Sequence, residues 1–172
     1  MDTLSISGPQ PQLVLQAQEM YEAGASLEDV AAWVEANKLR AHAYFTVDDL
    51  KYLQRGGRIS SAAAAIGSLL DLKPILVETR EGKLAAASKV RGRKKAMSYI
   101  VDKAVENIED QKESIAILLH ADCLPEAEKL QGMLQAKLPE MTIRVENIGP
   151  VIGTHTGPGA LAFCFIGKER PI

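Results

Sequence analysis

The chain has 172 residues, a net charge of −2, 47% hydrophobic and 24% charged side chains. That size and balance fit one soluble globular domain, or a domain plus a helical arm, and exclude disordered, collagen-like and rod-like chains. No global basic field draws the chain onto nucleic acid or anionic lipid, so nucleic acid is not expected as a partner.

Two cysteines, Cys123 and Cys164, occur without C-x-x-C or His/Cys ligand spacing, which argues against a disulfide scaffold and against a metal site. The first residues lack the basic and apolar segments of a signal peptide, and no apolar run approaches the length of a membrane span. The expected compartment is therefore the cytoplasm.

In chain order, Ser7-Gly8-Pro9-Gln10-Pro11 is a breaker cluster in which a proline can open a helix. Leu13, Val14, Ala17 and Tyr21 follow at helical spacing, with Gly24 just past the end. Ser26 caps a second helix with acids in its first turn and an apolar stripe of Val30, Trp33 and Val34. Residues 1–40 thus read as a helical arm lying against something else.

From Ala41 onward strands and helices alternate, and residues 41–172 read as an α/β domain. Residues 42–47 are strand-like, and Asp48 or Asp49 caps a short helix carrying Leu50 and Leu53 that Gly56-Gly57 stops. Ser60 or Ser61 starts another helix, from Ala62 to Leu70. Residues 73–78 and 83–89 flank Glu81-Gly82 as a hairpin. A helix over 93–109 follows, then an apolar strand over 114–119, a helix over 125–138 and a strand over 141–147. Val151-Ile152-Gly153 leads into a glycine-rich loop, and residues 160–166 close the chain as a strand. The expected architecture is α/β, a mixed sheet with helices packed on it behind a two-helix N-terminal arm.

Three segments could carry chemistry. Gly153-Thr154-His155-Thr156-Gly157-Pro158-Gly159 combines three glycines, two hydroxyls and an imidazole, and exposed amides there would suit an anionic head group. The same composition also fits a strand-connecting turn with an incidental histidine. Gly56-Gly57-Arg58-Ile59-Ser60-Ser61 places a guanidinium beside a helix start, suited to a carboxylate or phosphate, and reads equally as a C-cap followed by an N-cap. Lys89, Arg91, Arg93, Lys94 and Lys95 cluster at a helix start and read best as a solvated face. His42 and His120 flank apolar strands and read as structural. No phosphate-binding loop, dinucleotide fingerprint, nucleophile elbow or H-E-x-x-H motif occurs. The chain therefore offers no recognised way to bind ATP or to run hydrolysis by itself, and no metal is expected.

Taken together, Tyr44 to Leu50, Tyr52-Leu53, Gly56-Gly57-Arg58-Ile59-Ser60, Gly67 to Leu76, Gly82-Lys83, Arg91 to Lys95 and above all Ile148 to Ala160 resemble the DegV family of bacterial fatty-acid-binding proteins. The resemblance covers almost the whole chain but only the C-terminal part of the family. Pro9 and Pro11 stand where many members carry glycine. The resemblance implies a two-lobe fold of which this chain is the C-terminal lobe, with a long-chain fatty acid lying between the lobes. It implies that the N-terminal lobe, which supplies threonine and serine ligands to the carboxylate, is not in the chain, so that fatty acid binds weakly or not at all. A homodimer covering the exposed inter-lobe face is expected from the same loss.

Carried over residue by residue, Arg58 and His155 match the family's arginine and histidine near the acyl head group, with Thr156 and Gly157 beside them. The resemblance implies that Arg58 and His155 help present the acyl carboxylate to a separate ATP-dependent fatty-acid kinase subunit, so that the chain is expected to be a carrier and no enzyme, with no catalytic residue and no cofactor. The acyl-chain wall would come from Phe45, Ile66, Leu69 and Leu70, residues whose spacing makes them equally good core positions. Two alternatives stand beside this one: a dihydroxyacetone-kinase-like substrate-binding domain, in which the histidine binds substrate covalently, and a structural or assembly domain.

Overall fold

The computed structural model describes residues 1–59, 72–112 and 114–171. Six strands form one sheet in the order β3-β2-β1-β6-β4-β5: β1 (Ala41–Thr46), β2 (Leu72–Glu78), β3 (Leu84–Arg91), β4 (Ala116–His120), β5 (Ile143–Asn147) and β6 (Leu161–Ile166). Every described pairing is antiparallel except β4 with β5, which run parallel around the crossover helix between them. The β2–β3 hairpin turns at Glu81-Gly82, where Gly82 takes φ +70° and Thr79 N–H donates to the Lys83 carbonyl at 2.7 Å. The sheet is thus mixed, as expected.

Among the described residues six α-helices flank it: α1 (Pro9–Glu22), α2 (Leu27–Asn37), α3 (Lys51–Arg55), α4 (Arg93–Asn107), α5 (Leu124–Lys137) and α6 (Pro150–Thr156). Ser26 caps α2 by accepting the Asp29 N–H at 3.1 Å. At α3 the cap position is Leu50 rather than an aspartate; Asp49, two residues before the helix starts, accepts the Lys51 N–H at 2.8 Å. The expected helix from Ala62 to Leu70 and its serine caps lie outside the described residues.

Strand alternation divides the molecule into two unlike faces. Tyr44, Ile75, Val77, Leu118, Leu161, Phe163 and Phe165 point one way and pack against Met97, Ile100 and Val101 of α4 and Leu130 and Leu134 of α5. Ala43, Phe45, Leu76, Ile117, Leu119, Ala162 and Cys164 point the other way, toward α1, α3 and α6. In β6 the contrast is sharpest, because Leu161, Phe163 and Phe165 alternate with Ala162 and Cys164. One face fills the core, and on the other the small side chains of Ala43, Ala162 and Cys164 at β1 and β6 leave room above the sheet.

Two sequence-based expectations are corrected. The glycine-rich segment is not a loop as far as Thr156: Pro150 opens a helix that runs through His155, because proline suits the first helical position and the positive φ of Gly157, +72°, ends it. The stripe expected on α1 is also mostly unburied. Leu13 is buried, but Val14 is 57% and Tyr21 70% exposed. Polar Gln12 does the anchoring instead, its Nε2 donating to the Ile115 carbonyl at 2.8 Å and to the Cys164 carbonyl at 3.3 Å.

Candidate functional site

Between the small-residue face and its covering segments lies a cavity of about 240 Å³. Its floor is Ala43, Phe45, Ala162 and Cys164, and Leu53 of α3 closes one side. Ile152, His155 and Thr156 of α6, with Ile6 and Ser7 ahead of α1 and Pro9 at its start, form other parts of the enclosure. Most of this lining is apolar. The polar exceptions are Ser7, Arg58, Glu78, His155 and Thr156.

Helices α3 and α6 pack through glycines. A side chain at Gly56 would stand 2.1 Å from His155 Nδ1, and one at Gly157 would stand 2.4 Å from the Tyr52 ring. A side chain at Gly159, whose φ is +78°, would stand 2.1 Å from the Asp48 carboxylate. These absences let the end of α6 lie directly on the turn after α3, bringing His155 and Arg58 to one cavity although 96 residues separate them in the chain.

The anion-binding character expected of the glycine-rich segment is largely used up within the fold. Gly157 N–H donates to the Gly153 carbonyl at 2.8 Å, and Gly159 N–H to the Ala121 carbonyl at 2.7 Å. The Thr154 hydroxyl donates to the Pro150 carbonyl at 2.8 Å and the Thr156 hydroxyl to the Ile152 carbonyl at 3.0 Å. Gly157 is not among the cavity-lining residues. What is left over is the imidazole: His155 Nδ1 is buried and has no hydrogen-bond partner. Arg58 is exposed, folded back so that Nη1 donates to the Gly56 carbonyl. An orphan imidazole nitrogen and a guanidinium at the rim of an apolar cavity are suited to a ligand with one anionic end and a hydrocarbon body.

Phe45 lines this cavity, whereas Ile66, Leu69 and Leu70 lie outside the described residues. Sequence reasoning missed Glu78, Leu53, Ile152 and the residues ahead of α1. The alternation of large and small residues along β6 was the signal that could have revealed the floor. Glu78 is buried and pairs with the buried Arg170 at 3.1 Å; burial pushes its carboxyl up to about 7 against the pull of that guanidinium. Burial also raises the Cys164 thiol well above its ordinary range, so it acts as a small apolar floor residue. Among the described residues no group of three or more His, Cys, Asp or Glu side chains is placed to hold a metal ion, and no helix is long and apolar enough to cross a membrane.

The family model described as "Uncharacterised protein, DegV family" matches residues 1–168. DegV domain-containing protein CPE0026 of Clostridium perfringens is 42% identical over 170 residues, covering 99% of this chain and 58% of that protein. The crystal structure of DegV from Bacillus subtilis, titled a fatty acid binding protein, superposes with a TM-score of 0.83 at 40% identity, covering 98% of this chain and 60% of that one. The Fatty Acid Kinase (Fak) B3 protein of Streptococcus pneumoniae, solved loaded with linoleic acid, has a TM-score of 0.88 at 19% identity, covering 98% of this chain and 59% of that one, a likeness that speaks for the fold alone. The chain therefore spans about six-tenths of the length of the proteins it matches. With the glycine-rich segment, the mixed sheet and this match running along nearly its whole length, the chain belongs to the DegV family, to whose C-terminal part it corresponds.

Proposed function

We propose that the protein binds a long-chain fatty acid, with the acyl body in the cavity above β1 and β6 and the carboxylate toward His155 and Arg58. The observation that carries this reading is the orphan Nδ1 of His155 at a cavity whose lining is otherwise mostly apolar. Burial of the acyl chain supplies the affinity, at about 0.8 kcal/mol per methylene, and the polar pair supplies orientation. The likeness to Bacillus subtilis DegV, a fatty acid binding protein, supports the same reading.

In this proposal the protein is a non-catalytic carrier in the cytoplasm, and an ATP-dependent fatty-acid kinase subunit is the partner to which the carboxylate is presented. Exposed Arg58 marks the face such a partner would meet. Residues 1–40 act as an arm joined to the α/β domain of residues 41–172, and a homodimer through the exposed inter-lobe face is part of the same proposal.

Titration of the protein with saturated fatty acids of ten to eighteen carbons, followed by displacement of a fluorescent acyl probe, tests the reading. Saturable binding that tightens with chain length is the expected result. No binding of any member of the series overturns it.

A further inference from the structure

Arg170 is 1% exposed, yet it is a cation near the end of the chain, outside every helix and strand. Its Nε donates to the Ala41 carbonyl at 2.8 Å, and its Nη1 to the Leu4 and Thr79 carbonyls at 2.9 Å each. Its Nη2 meets the Ser5 hydroxyl and, at 3.1 Å, the Glu78 carboxylate. The other oxygen of Glu78 accepts the Ile6 N–H at 3.2 Å. Two side chains thus hold three consecutive residues, Leu4, Ser5 and Ile6, which belong to neither helix nor strand.

That short strap is strained as well as tied. Leu4 and Ser7 both take positive φ, +51° and +56°, a conformation non-glycine residues keep only where their surroundings impose it. Gly82 has no side chain to obstruct Leu4, whose Cα would stand 3.2 Å from a Cβ there. Gly8 likewise lies against Cys164, with only 2.4 Å between a built Cβ and the sulfur. The strap is therefore pinned at both ends, and Ile6, Ser7 and Pro9 between and beside the pins line the cavity. Ile6 is half-exposed, so no core packing of its own holds this wall in place.

We propose that Glu78 and Arg170 are positioning residues for the ligand: they hold residues 4–7 as one wall of the cavity and so set how strongly the site favours long acyl chains. The inference rests on the acyl-binding reading given above. Neither residue needs to touch the carboxylate. A buried guanidinium that satisfies backbone carbonyls from three separate segments fixes their mutual positions, and loss of its counter-charge loosens the segment with the least packing.

Glu78→Gln and Arg170→Met test this, with two readouts. Hydrogen exchange at the Ile6 amide reports the strap directly, and affinity for saturated acids of ten, fourteen and eighteen carbons reports the wall. Glu78→Gln should expose the Ile6 amide and lower the eighteen-carbon affinity by about tenfold, the worth of roughly two methylenes. The ten-carbon affinity should change by less than about threefold by the same arithmetic. Arg170→Met should do the same more strongly; if it fails to fold, Glu78→Gln alone decides. A uniform loss across chain lengths, or an unchanged chain-length profile with the Ile6 amide exposed, overturns the proposal. If the unaltered protein binds no acid while Glu78→Gln still exposes the Ile6 amide, the acyl reading fails and the tether stands.

Discussion

Gly56 and His155 share one space: the imidazole lies where any side chain at position 56 would be, 2.1 Å from a built Cβ. The turn after α3 and the last turn of α6 therefore meet through a missing methyl group. That contact buries Nδ1 without giving it a partner. Gly56→Ala should push the ring aside while costing about 1–3 kcal/mol of stability, as small overpacking does. Acyl affinity and the His155 ring resonances report the displacement. Unchanged ring resonances in a folded Gly56→Ala protein would count against the contact.

Gly157→Ala should be worse for stability than Gly56→Ala. Position 157 has φ +72°, which an alanine adopts only at a cost of about 1–3 kcal/mol, and its Cβ would also meet the Tyr52 ring at 2.4 Å. Chemical denaturation of the two variants side by side gives the ranking.

Filling the cavity should separate fold from function. Ala162→Leu places its added atoms above the small-residue floor, where space exists, so stability should move by no more than about 1 kcal/mol. Acyl affinity should fall on the order of a hundredfold, because roughly three methylenes of ligand lose their place. Equal affinity in variant and parent would show that the ligand lies elsewhere.

His155→Ala and Arg58→Ala bear on the carrier reading. If the proposed fatty-acid kinase partner exists, each should lower its acyl-phosphate formation tenfold or more, since one preorganised charge-stabilising group is typically worth ~2–4 kcal/mol in a transition state. Acyl affinity should fall less than that rate. Wild-type rates with both variants would favour a structural role for the two residues.

Stability should depend on pH through two buried groups with opposite signs. Burial lowers His42 from 6.5 to about 4, while its Nε2 lies 2.6 Å from the Lys168 carbonyl and its ring stacks on Phe165. The folded protein therefore resists protonating it, and up to about 3 kcal/mol is lost as pH falls from 6.5 toward 4. Glu78 is raised from 4.5 to about 7, so its contribution is full below 4.5 and lost as pH rises through 7. Urea denaturation from pH 4 to 8 should show His42→Gln flattening the acid limb and Glu78→Gln the neutral one. A variant that keeps the parent slope in its own window refutes that assignment.

Much of this protein is legible in its sequence because local rules decide it. The Glu81-Gly82 hairpin, the Ser26 cap, the Pro9 helix start and the buried strand at Leu118 each follow from neighbouring residues, whose preferences the tertiary structure does not oppose. The glycine-rich segment was legible as special, but not as a helix, because three glycines outweigh proline in any local count.

The site was decided only by the fold. Nothing near His155 in sequence shows that its ring fills the place of a side chain at Gly56, or that the amides and hydroxyls around it are spent on their own backbone. Arg170 belongs to no motif in the sequence, yet it is the most buried cation among the described residues, because carbonyls of Leu4, Ala41 and Thr79 converge on it from three separate segments. Sequence spacing encodes which face a side chain takes along one element. The meeting of elements far apart in the chain is set by how the two faces of the sheet are filled, with bulky side chains throughout one and the small Ala43, Ala162 and Cys164 at the middle of the other. That difference left the cavity.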